Sequence, residues 1–118
     1  MAQRAWKMMR DGDALVYGRR FPARFDVSAQ SSFPMLRRGR LAMQIRQDLW
    51  RELQSLRGFS PAIEVRTMDG GVIVRAGGSV DGRFPKSSTA DRIQQLLDDP
   101  KKRVRWINNA RLTEQTET

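Results

Sequence analysis

The 118-residue sequence contains no histidine and no cysteine. Their absence excludes a Ser/His/Asp triad, a Cys/His dyad, a zinc site of ordinary composition and any disulfide. Most nucleophilic and metal-dependent active sites depend on these two residue types. We therefore expect a non-enzymatic binding protein with no catalytic residues, no bound metal and no cofactor.

Long apolar runs are also missing. None approaches the roughly 20 residues of a membrane span, and the N-terminus MAQRAWKMMR lacks the apolar core of a signal peptide. We therefore expect a cytoplasmic protein with no membrane partner. A hydrophobic content of 39% with 30% charged residues is typical of a globular chain. The length predicts one domain over residues 1–118, with a frayed tail at 113–118.

Acidic residues are few, with 13 Asp+Glu against 22 Lys+Arg and a formal net charge of +9. Eighteen of the basic residues are arginine, whose guanidinium can form bidentate hydrogen bonds with phosphates and carboxylates. Residues 1–60 hold 12 basic and 5 acidic side chains (+7), whereas residues 61–118 hold 10 and 8 (+2). An acidic partner should therefore bind residues 1–60. The alternative is that the arginines raise the isoelectric point and have no role in binding.

The clearest predicted element is a helix over about residues 36–57. Its apolar residues recur at spacings of four and three and form one stripe: Leu41, Ile45, Leu49, Leu53 and Leu56. Gly58 fits the left-handed position that ends a helix, and Pro61 prevents the helix from resuming.

Residues 62–67 and 72–76 predict a β-hairpin with a two-residue turn at Asp69-Gly70. This register pairs Thr67 with Val72, Val65 with Val74 and Ile63 with Ala76 on one face, and Glu64 with Arg75 on the other. Residues 77–78 and 81–82 then predict an irregular loop.

The first 32 residues permit alternatives. Residues 14–17 could pair back onto residues 5–9 as a hairpin around Asp11-Gly12-Asp13, although residues 5–9 also suit one short helix. Phe21, Phe25 and Val27 lie around Pro22 in a predicted edge strand or extended arm. Residues 28–32 predict a polar loop.

Two helices are predicted at the C-terminus, over about residues 89–98 and 100–112. Ser88 or Thr89 would cap the first, and Asp99-Pro100 combines a capping carboxylate with proline at the first helical position of the second. In the second, Val104, Ile107 and Ala110 form the predicted inner stripe, with Trp106 at its edge. Together these elements predict a small α+β domain whose hairpin could be extended by N-terminal strands.

Two patterns that resemble chemical sites have simpler explanations. The pairs Asp11/Asp13 and Asp98/Asp99 could hold a hard cation, but they fit better as a turn and a helix cap. The glycines of residues 70–82 lack the spacing of a phosphate-binding loop and no helix follows at the right offset.

The long helix carries the most suggestive surface residues. Opposite the leucine stripe lies a row that could read base edges or simply be solvated, namely Arg40, Gln44, Gln47, Arg51 and Gln54. Met43 and Trp50 lie between the two faces, flanked by Arg46 and Arg57. The favoured interpretation is that both pack into the core against residues 1–30; an exposed Trp50 would instead offer a stacking surface or an interface anchor.

Two further basic clusters complete the candidates. Arg37, Arg38 and Arg40 surround Gly39 at the start of the long helix. The other cluster occupies the first turns of the last helix, where cations are unfavourable: Lys101, Lys102, Arg103 and Arg105.

Two functional hypotheses follow. In the first, the protein associates with nucleic acid through arginine–phosphate contacts. In the second, it is a protein-interaction module for an acidic protein, or a homodimer, that uses Trp50, Met43 and nearby arginines. The predicted binding residues are Arg37, Arg38, Arg40, Arg46, Trp50, Arg51, Lys101, Lys102, Arg103 and Arg105.

Overall fold

The computed structural model describes residues 6–112 and confirms the α+β class. Five antiparallel strands form one sheet in the order β1-β2-β4-β5-β3. The strands are β1 (Lys7–Asp11), β2 (Ala14–Gly18), β3 (Val27–Phe33), β4 (Phe59–Met68) and β5 (Gly71–Val80). The helices are α1 (Arg38–Leu53), α2 (Lys86–Asp98) and α3 (Pro100–Ala110).

The central hairpin has the predicted register. Val65 pairs with Val74, and Glu64 pairs with Arg75 on the opposite face. Gly70, with φ of +78°, supplies the left-handed backbone that the second turn position requires. The hairpin is longer than predicted, because β5 continues through Gly77 and Gly78 instead of entering a loop.

The prediction of a loop at residues 77–78 was wrong for a steric reason. A Cβ at Gly77 would overlap the Val27 carbonyl of β3, and one at Gly78 would overlap the Ser60 carbonyl of β4. Glycine therefore lets both neighbouring strands approach β5 closely.

The N-terminal segment forms the predicted hairpin rather than the alternative helix. β1 pairs with β2, and Gly12 takes a φ of +62° at the first of two turn positions. Residues 19–26 follow as an irregular arm, in which Phe25 lies under the guanidinium of Arg75 at 4.2 Å. The predicted polar loop at 28–32 is wrong, because β5 supplies backbone partners that make this segment strand β3.

Helix α1 begins at Arg38 and ends at Leu53, four residues before the predicted end. A tight turn closes it, in which the Leu56 amide donates to the Leu53 carbonyl at 2.9 Å. Gly58 takes the expected left-handed backbone, with φ of +70°. Leu41, Ile45, Leu49 and Leu53 of the predicted stripe lie in the core, which α1 forms over β2, β4 and β5. Leu56 lies beyond the end of α1 and is partly buried against that core.

The C-terminal helices differ from the prediction at two points. Helix α2 begins at Lys86 after Pro85 with no side-chain cap, so neither Ser88 nor Thr89 serves as its N-cap. In α3 the Asp99 cap is confirmed, since its carboxylate accepts from the amides of Lys101 and Lys102. Trp106 is fully buried there while Val104 is 59% exposed, because α3 packs through Trp106 and Ala110. Residues 113–118, predicted to fray, lie outside the described residues.

Candidate nucleic-acid interface

One side of α1 faces strand β1 across an open groove. Because side chains alternate along a strand, β1 directs Met8 and Arg10 toward the helical face of the sheet. Trp6, just before β1, lies on the same face against Tyr17 and Arg46. Helix residues at intervals of three and four share one face, and on α1 this side carries Gly39, Met43, Arg46 and Trp50. We call the space between them the α1–β1 groove.

The groove contains two concavities in line along α1. The first, near the helix start, has a volume of about 450 Å³ and is lined by Met8, Arg10, Leu15, Arg37, Arg38, Gly39, Arg40 and Met43. The second, near the helix end, has about 690 Å³. Its lining comprises Trp6, Arg19, Arg20, Arg46, Trp50, Gly58, Phe59, Ser60, Pro61 and Asp81. Both volumes are in the range of small-ligand clefts.

Arg46 lies at the centre of an aromatic cluster in the second concavity. Its guanidinium is 4.5 Å from the Trp6 ring centroid and 5.8 Å from that of Tyr17. The two rings stack with centroids 5.1 Å apart, and Arg19 lies 5.4 Å from Trp6. Within residues 6–112 the buried Nε of Arg46 has no hydrogen-bond partner. Cation–π contacts thus hold a positive charge at the groove wall.

Trp50 and Met43 are exposed, which corrects the prediction that they pack into the core. Trp50 is 42% exposed and Met43 is 44% exposed. α1 lies over β2 and β4, so its flank toward the outer strand β1 remains open. The indole of Trp50 therefore lies beside the Arg46 cluster and is accessible from solvent.

Positive charge in the groove is largely unneutralised. Six of its arginines form no ion pair with a carboxylate of the described chain: Arg10, Arg20, Arg37, Arg38, Arg40 and Arg46. Two of them are held by backbone carbonyls, since Arg38 donates to Asp13 at 2.9 Å and Arg40 to Asn109 at 3.3 Å. Of the carboxylates in residues 6–112, Asp81 alone lines either concavity.

The remaining predicted residues lie on the opposite flank of α1, next to α3. There the buried carboxylate of Asp48 accepts a hydrogen bond from Arg105 and another, of 2.7 Å, from Trp106 Nε1. Arg51 lies 3.6 Å from the same carboxylate. These two arginines therefore have a partner within the fold. Gln44 of the predicted base-reading row likewise accepts from Asn109 at 3.1 Å.

The basic cluster of α3 is also engaged with the fold. Arg103 stacks on Phe33 at 4.0 Å and donates to the Ser32 carbonyl at 2.6 Å. Lys102 lies 3.6 Å from Asp99, whereas Lys101 is exposed. The structure thus brings Arg37, Arg38, Arg46 and Trp50 into the groove and separates them from Arg51 and the α3 cluster. Arg40 lines the start of the groove, but its guanidinium is directed to the Asn109 carbonyl of α3.

Among the arginine and tryptophan side chains that line the groove, four were not predicted as binding residues, namely Trp6, Arg10, Arg19 and Arg20. The period-two alternation of 6, 8 and 10 in the hairpin alternative could have placed Trp6 and Arg10 on one face. Arg19 and Arg20 follow β2 in an irregular segment, and no sequence pattern indicates their position.

Comparison with known proteins gives no match: no family model, no curated protein and no solved structure is significantly similar to the chain. None of the helices within residues 6–112 is both long and apolar enough to cross a membrane. The same residues contain no group of three histidine, cysteine or acidic side chains that could hold a metal ion.

Proposed function

We propose that the protein is a non-enzymatic nucleic-acid-binding protein that holds a single strand in the α1–β1 groove. The observation that carries the proposal is the line of arginines without ion pairs beside an exposed tryptophan. Proteins that bind single strands combine a basic groove along the backbone with aromatic side chains on which bases stack. The groove supplies both parts.

Each part has a separate role. Arg37 and Arg38 at one end of the groove and Arg20 at the other contact phosphates several nucleotides apart, and Trp50 stacks on a base between them. Arg46 contributes a positive charge at a fixed position, because its guanidinium is held against Trp6 and Tyr17. With no array of aligned base-edge readers in the groove, sequence preference should be weak.

A fluorescence anisotropy titration of labelled oligonucleotides tests this function. Single-stranded and duplex DNA and RNA are compared at about 50 and about 200 mM salt, since phosphate contacts lose orders of magnitude in affinity over that range. We expect single strands to bind more tightly than duplexes. No binding at the lower salt would disprove the proposal.

Two matched variants locate the site. Arg20→Ala/Arg37→Ala removes two exposed groove charges, and Lys86→Ala/Lys101→Ala removes two exposed charges from α2 and α3. Both lower the net charge from +9 to +7. The groove variant should reduce the salt slope by about 1.4, at about 0.7 per phosphate contact. Equal losses in the two variants would show that only total charge matters.

Trp50→Ala distinguishes stacking from electrostatics. Base stacking contributes about 1–3 kcal/mol by alanine substitution, so affinity should fall by about 5- to 150-fold. Because no charge is removed, the salt slope should stay unchanged. An unaltered affinity would exclude Trp50 from the interface.

A protein-interaction module is the second candidate, favoured by the exposure of Trp50 and Met43 together. Tryptophan and arginine are enriched among the residues that dominate interface energies. This function predicts a complex with an acidic protein that persists at moderate salt and is lost in Trp50→Ala. Pull-down with the wild type and the variant at both salt concentrations distinguishes it from nucleic-acid binding.

A further inference from the structure

The helices contact the backbone at one edge of the sheet, strand β3, and leave the other edge, strand β1, uncovered. Carbonyls of β3 accept hydrogen bonds from the helices, from Gln94 to Gln30 at 3.0 Å and from Arg103 to Ser32 at 2.6 Å. At the other edge, β1 has β2 as its single hydrogen-bonding neighbour within residues 6–112. An uncovered edge strand is a template for pairing with another strand.

The β1–β2 turn decides which backbone groups of β1 point outward. With two turn residues, Asp11 and Ala14 form the hydrogen-bonded pair that closes the turn. Hydrogen-bonded pairs recur at every second residue, so Met9 and Val16 form the next one. The N–H and C=O groups of the alternate residues, Met8 and Arg10, are therefore directed away from β2. They are available to a further strand.

The sequence of β1, Lys-Met-Met-Arg-Asp, is complementary to itself when antiparallel. Centred on Met9, the pairing places Met8 opposite Arg10 of a second copy, so the outward backbone groups of the two strands meet. It also places Lys7 of each copy opposite Asp11 of the other, which gives two pairs of opposite charge. Opposite charges at facing positions stabilise a strand pair.

We propose that the chain forms a symmetric dimer through β1, which joins two five-stranded sheets into one of ten strands. The occupant is a second copy because charge and backbone pattern both match in a single register. The dimer surface differs from Trp50 and Met43, and the proposal is independent of nucleic-acid binding.

The helices leave room for this arrangement. α1 contacts β2 and β4, and in the dimer the two β2 strands lie three strand spacings apart, roughly 14 Å. Packed helices need about 8–10 Å between axes. The two α1–β1 grooves would then lie side by side on one face of the sheet, with the β1 pair as their common floor.

Charge exchange at Lys7 and Asp11 tests the dimer by light scattering and sedimentation at low salt. Lys7→Asp places acid against acid, and Asp11→Lys places base against base, so each variant alone should be monomeric. Their mixture restores both ion pairs and should form a heterodimer. Circular dichroism confirms that both variants are folded. The proposal is overturned if the wild type is monomeric, or if the mixture does not associate.

A disulfide tests the register independently. Facing residues outside the hydrogen-bonded pairs have Cα atoms about 4.5 Å apart, within the range a disulfide spans. Because the chain has no cysteine, Met9→Cys introduces a single thiol. It should form a covalent dimer on mild oxidation, faster than Met68→Cys, an exposed control. Equal rates for the two variants would refute the register.

Discussion

Replacing Asp48 with alanine should destabilise the fold more than any exposed charge substitution. Its carboxylate is 7% exposed, on the flank of α1 that packs against α3. It accepts a hydrogen bond from the indole N–H of Trp106, a fully buried side chain, and another from Arg105. Removing the carboxylate leaves the indole N–H buried without an acceptor.

The magnitude follows from these two contacts. An unsatisfied buried donor costs about 1–3 kcal/mol. The guanidinium of Arg105 is half exposed, so losing its ion pair with Asp48 adds only about 1 kcal/mol. The free energy of unfolding should therefore fall by about 2–4 kcal/mol. With an unfolding entropy of about 2.1 cal/mol/K per residue, the melting temperature should fall by about 8–16 °C.

Urea unfolding followed by circular dichroism measures this change. Arg51→Ala is the control, because Arg51 lies beside the same carboxylate but is 72% exposed, and it should cost less than about 0.5 kcal/mol. Asp48→Asn retains an oxygen acceptor and should have an intermediate effect. In a Trp106→Phe background the alanine substitution should cost less, since no indole N–H remains. Similar costs for Asp48→Ala and Arg51→Ala would refute the reasoning.

Two further predictions concern pH and the sheet. Hydrogen bonds from the backbone amides of Lys102 and Lys101, with the nearby Lys102 ammonium, lower the pKa of Asp99. Its stabilising effect is thus complete above its unfolded pKa of about 3.9 and is lost as the pH falls through the lower folded value. Asp99→Asn, which retains a capping oxygen, should therefore show a shallower loss of melting temperature below about pH 4, and an unchanged profile would contradict this. In the sheet, Gly77→Ala should cost at least about 1–3 kcal/mol in urea unfolding, because its Cβ meets the backbone of β3. Gly18→Ala, with its nearest contact at 3.6 Å, should cost clearly less; equal costs would rule out the steric explanation.

The elements that the sequence alone predicted are those in which local signals agree. The hairpin register followed from alternating Val and Ile residues around Asp69-Gly70, because a slip by one residue would expose the buried face. The α1 stripe followed from helical periodicity, and the start of α3 followed from Asp99-Pro100. In each case the neighbouring residues themselves fix the conformation.

Tertiary contacts decided the rest. The polar residues 28–32 carry no strand signal, and they form β3 because β5 supplies their backbone partners. Helical periodicity gave the angular position of Arg46, Trp50 and Asp48 on α1, but not which flank would be covered. Packing of α3 covers one flank of α1 and buries Asp48. Strand β1 lies at the edge of the sheet and leaves the other flank of α1 open. The candidate site therefore depends on contacts between segments distant in sequence, which local periodicity does not encode.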